Sequence, residues 1–161
     1  MKIAIVSGGF DPLHVGHVEL FNKARQVGEP LIVILNSDSF LKKKKGKVFM
    51  PFKERKVILE NLSAVDLVVG SIDTDDTVCR TLEELSNLRT KLPNGDYWEE
   101  LYFCNGGDRT DGTNTPEHHA CERFGINSVY GLGDKIQSSG WLINKKDEKV
   151  VYTLQEPLCE T

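Results

Sequence analysis

Two histidines near the amino terminus have a spacing that suits a shared ligand. His14 and His17 are separated only by Val15 and Gly16, within the stretch SGGFDPLHVGH at residues 7–17. If a helix begins at this point, the two side chains lie three positions apart and can face one ligand. Imidazole can donate hydrogen bonds to phosphate oxygens and can offset charge that develops in a transition state. The pair therefore suggests phosphate chemistry, with a metal pair or a structural role as the alternatives.

The residues before the histidines leave room for a ligand beside the backbone. A compact apolar run, KIAIV at 2–6, is typical of a buried strand and is followed by Ser7, Gly8 and Gly9. Glycine has no Cβ, so the backbone there can approach a ligand closely. The free N–H groups at the start of the next helix also suit a phosphate. Because the stretch does not match GxGxxG, a dinucleotide site is the less favoured interpretation.

Strand and helix patterns alternate along the rest of the chain. Strands are predicted at 2–6, 30–38, 66–71, 100–107 and 126–133, and helices at 15–28, 51–65, 77–88, 115–125 and 138–145. The lysine-rich stretch before Pro51 is predicted to be a loop. This alternation predicts an α/β fold of the Rossmann-like, doubly wound type, with a mainly five-stranded parallel sheet and helices on both faces. Ligands bind such sheets beyond the carboxyl ends of the strands.

Length and composition restrict the class of protein. The 161 residues are 39% hydrophobic and 27% charged, which suits a globular domain, predicted over 1–146 with a C-terminal tail at 147–161. The formal net charge of −4 does not favour nucleic acid or anionic membranes as partners. No run approaches the ~20 apolar residues of a membrane helix. The start lacks a signal-peptide pattern, and the 4 cysteines lack metal-ligand spacing, so we expect a cytoplasmic protein with reduced thiols.

The opening stretch resembles the HxGH signature of the cytidylyltransferase-like nucleotidyltransferases. Further similar segments follow in family order over residues 1–145: ARQVGEPLIVILNSDSF, FKERKVILENLSAVDLVV, CNGGDR and KIQSSGWLI. They are most similar to the glycerol-phosphate cytidylyltransferase and heptose-phosphate adenylyltransferase branches. The last segment departs from the family pattern, because GLGDK replaces the usual Arg-Thr and Gln137 stands where a serine is usual.

The resemblance implies roles for individual residues. The implied catalytic residues are His14, His17, Lys44 and Arg55. The implied nucleotide-binding residues are Ser7, Gly8, Gly9, Phe10, Gly16, Gly106, Gly107, Asp108, Lys135, Gln137, Ser138 and Ser139. The implied acceptor-binding residues are Asp11, Asp38, Lys45 and Asp66.

Many of these candidates also have a structural interpretation. The lysine run can be a solvated loop, and Arg55 can pair with Glu54 or Glu60. The aspartates can cap a turn or the end of a strand, and the two serines can cap the last helix.

The reaction implied by the resemblance is transfer of CMP or AMP from a nucleoside triphosphate to a small phosphorylated alcohol or sugar, with release of pyrophosphate. Mg²⁺ is the implied cofactor, and CTP is slightly preferred over ATP. The alternatives are a nicotinate or nicotinamide mononucleotide-type adenylyltransferase, a nucleotide-binding module that has lost turnover, and a metal-binding or redox protein. Members of the family often form homodimers, so the resemblance allows a homodimer.

Overall fold

Five parallel strands form the centre of the molecule, as the alternation of patterns predicted. The computed structural model describes residues 1–106, 114–133 and 137–143. The strands are β1 Lys2–Gly8, β2 Leu31–Leu35, β3 Leu67–Gly70, β4 Glu100–Gly106 and β5 Asn127–Leu132. The helices are α1 Val15–Val27, α2 Asp38–Lys45, α3 Phe52–Glu60, α4 Cys79–Asn87, α5 Pro116–Phe124 and α6 Ser139–Ile143. The strand order β3-β2-β1-β4-β5 reverses between β1 and β4, where such sheets bind ligands.

Both faces of the sheet are covered by helices, which confirms the predicted fold class. Alternate residues of each strand enter different cores, so that Ala4 of β1 faces one core and Ile5 faces the other. The helices that close the first core are α1 and α3, through Phe21, Ala24 and Leu59. The helices that close the second core are α4 and α5, through Leu82 and Cys121.

The register of the strands brings their carboxyl ends to one edge of the sheet. Gly8 pairs with Leu35, and Leu35 pairs with Gly70 on the next strand. On the other side, Gly106 pairs with Leu132 after a register shift. The segments that leave these strand ends therefore meet above the same edge, although they are far apart in sequence.

The lysine-rich segment is a helix, so its prediction as a loop was wrong. The hydroxyl of Ser37 accepts the N–H of Phe40 at 3.1 Å and caps the start of α2, and Gly46 ends it with φ 81°. Leu41 is its buried residue. Eight residues with one buried side chain have almost no hydrophobic periodicity, which is why the pattern was missed. The predicted strand at 30–38 ends earlier than expected, because Ser37 already caps the start of α2.

The remaining elements lie close to their predicted bounds. The main difference is α3, which ends at Glu60 rather than at residue 65. An antiparallel bridge between Lys91 and Tyr97 closes the turn at 93–96. The predicted tail at 147–161 lies outside the described residues. Within the described part of the chain, no helix is both long enough and apolar enough to cross a membrane.

Gly28 marks the end of α1 as predicted, and the reason is a close contact with β1. A Cβ at this position would stand 2.9 Å from the carbonyl carbon and oxygen of Lys2. Because backbone atoms cannot give way as a flexible side chain can, we expect Gly28→Ala to lower the free energy of unfolding by about 1–3 kcal/mol. Urea-induced unfolding measures this loss. The control is Gln26→Ala on the exposed face of the same helix, and equal stability of the two variants would contradict the prediction.

Candidate functional site

An open cleft of about 620 Å³ lies above the carboxyl edge of the sheet. One side is formed by the segment after β1, by the end of β4 and by the starts of α1 and α6. The other side is formed by the end of β2, by α2 and by the segment between β3 and α4. The predicted site residues that line it are Ser7, Gly8, Phe10, His14, Gly16, His17, Lys44, Lys45, Gly106, Gln137, Ser138 and Ser139.

The loop after β1 is shaped by the ring of Phe10. This residue is buried and has φ 50°, which is uncommon for a residue with a side chain. Its ring meets His17 edge-on, with 4.8 Å between ring centroids, and Phe21 at 5.3 Å. A Cβ at Gly8 would stand 2.9 Å from the Phe10 ring. The glycine therefore lets an aromatic ring support both the backbone of β1 and one imidazole.

The two histidines form a reciprocal cap at the start of α1. Nδ1 of His14 accepts the N–H of Gly16 at 3.1 Å, and Nδ1 of His17 accepts the N–H of His14 at 3.2 Å. The rings are stacked, with 3.7 Å between centroids and 24° between planes. Because both Nδ1 atoms accept, a neutral ring must carry its proton on Nε2. Each imidazole therefore keeps one N–H donor for a ligand.

Both imidazoles favour the neutral form. Burial lowers the pKa of His17 from 6.5 to about 3, and the charges of His14 and Lys45 act in the same direction. Burial, followed by the charge of Lys45, also lowers the pKa of His14. At neutral pH the pair therefore offers hydrogen-bond donors rather than fixed positive charges.

Lys44 and Lys45 bring positive charge to the other side of the cleft. Both lie in the last turn of α2, and Nζ of Lys44 lies 5.5 Å from the centroid of the Phe40 ring. The influence of Lys45 on the pKa values of both histidines means that its charge reaches the imidazole pair. The cleft thus joins two imidazole donors to two ammonium groups, which is suited to a polyanion.

Arg55 is buried and binds several of the segments that form the cleft. Its side chain is 0% exposed, so it is not placed to contact a substrate, and this corrects the interpretation of Arg55 as catalytic. Nη1 donates to the carbonyls of Gly9 and Asn36, each at 2.8 Å. Nε donates to the carbonyl of Met50 at 2.9 Å, and Nη2 donates to the carboxylate of Asp38 at 2.7 Å. Gly9 and Asp38 therefore act as partners of Arg55 in positioning the loop.

Two further aspartates bind the protein's own backbone. Asp11 is 1% exposed, and its carboxylate accepts the N–H groups of residues 49–50 at 2.7 and 2.6 Å. Asp66 precedes β3 at the opposite edge of the sheet, where it accepts the N–H of Leu31 at 2.8 Å and pairs with Arg25. We expected Asp11 and Asp66 to contact the acceptor substrate. This expectation is corrected, because both carboxylates bind groups of the protein itself, as the structural interpretation has it.

The serines before α6 have structural partners and also line the cleft. The hydroxyl of Ser139 donates to the carbonyl of Pro12 at 2.8 Å, which joins α6 to the loop after β1. The hydroxyl of Ser138 accepts the N–H of Trp141 at 3.0 Å, and the side-chain oxygen of Gln137 accepts the N–H of Ser138 at 3.0 Å. Capping and ligand contact are therefore compatible here.

Three of the predicted nucleotide-binding residues cannot be placed in this cleft. Gly107, Asp108 and Lys135 lie outside the described residues, so their contacts stay predictions.

Sequence reasoning missed several of the described residues that line the cleft. They are Leu20, Asn36, Phe40, Asp76, Thr77, Val78, Asn105, Glu117, Leu132 and Gly140. The rule that ligands bind beyond strand ends was applied to the first strand, and it would also have found the segment after the third. That segment is fixed by Asp73, whose carboxylate accepts the N–H groups of Arg80 and Thr81 at 2.9 and 3.0 Å.

The described residues contain no group of three or more His, Cys, Asp or Glu side chains that could hold a metal ion. The carboxylates in the described lining of the cleft are Asp76 and Glu117. His118 is held on α5 by Tyr130 at 2.6 Å and by Glu122 at 3.2 Å. An ion in the cleft would therefore need ligands from a substrate as well as from the protein.

Removal of the buried guanidinium tests the role of Arg55. Arg55→Met leaves buried carbonyls without donors and Asp38 without its partner, so we expect a loss of about 3–5 kcal/mol in the free energy of unfolding. Arg55→Lys keeps the charge but not the fork of donors, and its loss should be intermediate. Urea-induced unfolding gives the order of stability. The control is Lys53→Met at an exposed position of α3, and a lysine variant as stable as the native chain would refute this role.

The lowered pKa of His17 predicts a pH-dependent stability. The unfolded chain binds a proton near pH 6.5 and the folded chain near 3, so stability falls as the pH falls through this window. In His17→Asn the free energy of unfolding should fall less steeply with decreasing pH than in the native chain. The difference in slope is at most about 1.4 kcal/mol per pH unit, the slope for one proton. Urea-induced unfolding at several pH values measures the slope. Exposed His119→Asn is the control, and an unchanged slope in His17→Asn would contradict the assignment.

A family model described as Cytidylyltransferase-like matches residues 5–119. Curated relatives include glycerol-3-phosphate cytidylyltransferase of Staphylococcus aureus, 44% identical over 43% of this chain and 52% of the relative. The bifunctional protein HldE of Erwinia tasmaniensis is 38% identical over 66% of this chain and 23% of the relative. The chain thus spans about half of the first relative and about a quarter of the second.

The solved structures that resemble this one include a lipopolysaccharide core biosynthesis protein from Thermoplasma volcanium. Its TM-score is 0.60 at 19% identity, and the match covers 81% of this chain and 95% of that one. A bifunctional NMN adenylyltransferase/ADP ribose pyrophosphatase from Francisella tularensis matches with a TM-score of 0.51 at 12% identity, over 80% of this chain and 36% of that one. At these identities the likeness concerns the fold. Together with the match over residues 5–119, it leads to one conclusion: the chain belongs to the cytidylyltransferase-like family.

Proposed function

We propose that the protein is a nucleotidyltransferase that moves CMP or AMP from a nucleoside triphosphate to a small phosphorylated alcohol or sugar. The observation that carries this proposal is the stacked pair of neutral imidazoles. The backbone occupies Nδ1 of both His14 and His17, so each presents Nε2–H to a cleft that also holds Lys44 and Lys45. The family relationship and the two kinds of relative support the same reaction.

The proposed reaction is an in-line displacement at the α-phosphorus. An oxygen of the acceptor phosphate forms a bond to this phosphorus, and the bond to the oxygen bridging to the β-phosphate breaks. The leaving pyrophosphate takes the electron pair of that bond, and the product is a nucleoside diphosphate ester of the acceptor. Because the attacking oxygen is already anionic, the reaction needs positioning and charge stabilisation more than a general base.

The residues of this chain supply those two effects. The Nε2–H groups of His14 and His17 donate to phosphate oxygens, and they need no reorganisation because the helix cap fixes the rings. The ammonium groups of Lys44 and Lys45 offset the negative charge of two phosphorylated substrates that must approach each other. The start of α6, with Ser138 and Ser139, is proposed to hold the distal phosphates.

Mg²⁺ is proposed to arrive with the nucleoside triphosphate as part of the substrate. This ion commonly takes substrate phosphates and one or two protein carboxylates as ligands, and the donor set of the cleft fits that pattern. Asp76 and Glu117 are the residues that would hold it. When bound, it neutralises phosphate charge.

The identity of the nucleotide follows from the relatives only in part. The higher identity to a glycerol-3-phosphate cytidylyltransferase supports CTP over ATP as the first substrate to test. The nicotinamide mononucleotide alternative is supported by fold similarity alone. A cytoplasmic location stays a prediction from the cysteines and the start of the sequence, and a homodimer stays a prediction of the resemblance.

The test uses variants that remove the Nε2 donors but keep the helix cap. His14→Asn and His17→Asn place an amide oxygen where Nδ1 accepts its hydrogen bond, and asparagine is a good N-cap. Pyrophosphate release is measured with CTP, ATP, GTP and UTP, Mg²⁺, and a panel of phosphorylated alcohols and sugars. We expect turnover with CTP or ATP and a loss of about 10²–10³ in kcat for each variant, the usual effect of removing one such donor.

The matched control is His119→Asn, an exposed histidine on α5 that should leave kcat unchanged. Thermal unfolding establishes that the variants are folded. Nucleotide binding without pyrophosphate release from any pair of substrates would instead identify a binding module. Undiminished turnover in the double variant, His14→Asn with His17→Asn, would show that the imidazoles take no part in the reaction.

A further inference from the structure

The side chain of Asn36 carries a buried oxygen that lacks a hydrogen-bond partner. Asn36 is 6% exposed and lines the cleft, and its Oδ1 is the buried side-chain atom of the described residues that is left unsatisfied. Buried polar groups are nearly always paired, because loss of water is otherwise uncompensated. A partner supplied by a ligand would resolve this arrangement.

The backbone of Asn36 is fixed on both sides, so the side chain starts from a defined position. Its N–H donates to the carbonyl of Gly8 at 3.0 Å, and its carbonyl accepts Nη1 of Arg55 at 2.8 Å. These bonds attach residue 36 to the end of β1 and to the buried guanidinium. A side chain held in this way is preorganised to read a ligand.

The position of Asn36 in the cleft indicates which substrate it meets. Residue 36 follows β2, on the side formed by Phe40, Lys44 and Lys45 of α2. The imidazole pair and the start of α6 belong to the other side, where a Cβ on Gly16 would stand 3.6 Å from the carbonyl oxygen of Gln137. If the side with the imidazole pair and the start of α6 holds the triphosphate, the side with Asn36 is left for the phosphorylated acceptor.

We propose that Oδ1 of Asn36 accepts a hydrogen bond from a hydroxyl group of the acceptor, so that Asn36 selects polyol or sugar phosphates over analogues that lack this hydroxyl. The inference rests on the proposed function and names the substrate class of its second site. A neutral amide oxygen suits a neutral hydroxyl donor, and the lysines beside it disfavour a cationic group such as an ammonium.

The experiment compares the best acceptor of the panel with its single deoxy analogues. For glycerol 3-phosphate these are 3-hydroxypropyl phosphate and 2-hydroxypropyl phosphate. We expect the native enzyme to discriminate against one analogue by about 10² or more in kcat/KM, since a site built for a hydroxyl rejects a ligand without one. In Asn36→Leu, which has a similar volume and no polar atom, this ratio should fall below about 10, mainly through a higher KM for the acceptor.

Thermal unfolding separates this role from a structural one. Replacement of an unpartnered amide by leucine should leave the unfolding temperature equal or higher, whereas a structural asparagine would lower it. The control is Asn61→Leu, at the exposed end of α3, where the amide donates to the carbonyl of Val57. This variant should keep the discrimination ratio and the KM for the acceptor.

The outcomes distinguish the two proposals. No pyrophosphate from the native chain with any pair of substrates overturns the proposed function. Turnover with equal use of all deoxy analogues overturns the role of Asn36, and this holds even if Asn36→Leu does not fold. An unchanged discrimination ratio in folded Asn36→Leu, or a preference for choline or ethanolamine phosphate over polyol phosphates, also overturns it.

Discussion

The guanidinium of Arg55 is the interaction on which the geometry of the cleft depends. It joins the loop after β1, the residue after β2, the first residue of α2 and the segment before α3 by four hydrogen bonds. Asp11 holds the N–H groups of that last segment while Arg55 holds one of its carbonyls. A buried charge is tolerated at this point because oxygen acceptors replace the lost water around it. The cleft above the sheet thus rests on a charged side chain that is fully buried.

A second constraint links the start of a helix to the state of the two imidazoles that we propose take part in catalysis. The hydrogen bonds that cap α1 use Nδ1 of His14 and of His17, and this fixes the tautomer of both rings. Burial and the nearby ammonium of Lys45 keep the rings neutral. A change that disturbed the cap would therefore alter the direction of the donors as well as the stability of the helix. Fold and function are coupled here through two nitrogen atoms.

The sheet and the imidazole pair could be predicted because their signals are local. Short apolar runs such as IAIV at 3–6 and LIVIL at 31–35 indicate buried strands, and the HxGH spacing needs only a helix that starts beside it. The helix α2 could not be predicted from periodicity, since Leu41 is its buried residue. The roles of Arg55 and Asp38 were beyond sequence reasoning for another reason. Their partners are 46 and 17 positions away, and a charged residue beside a motif gives no sign of whether it faces a ligand or a carbonyl. Asn36 was passed over because a single amide after a strand has no distinctive pattern.

The hydrogen bond from Ser139 to the carbonyl of Pro12 joins residues that are 127 positions apart. During synthesis on a ribosome, β1, β2 and β3 can pair long before Ser139 has been made, since chains fold from the amino end as they emerge. The half of the cleft that contains the imidazoles would then stay open until α6 has been made. A nascent chain would thus pair its first three strands before its complete binding surface can form.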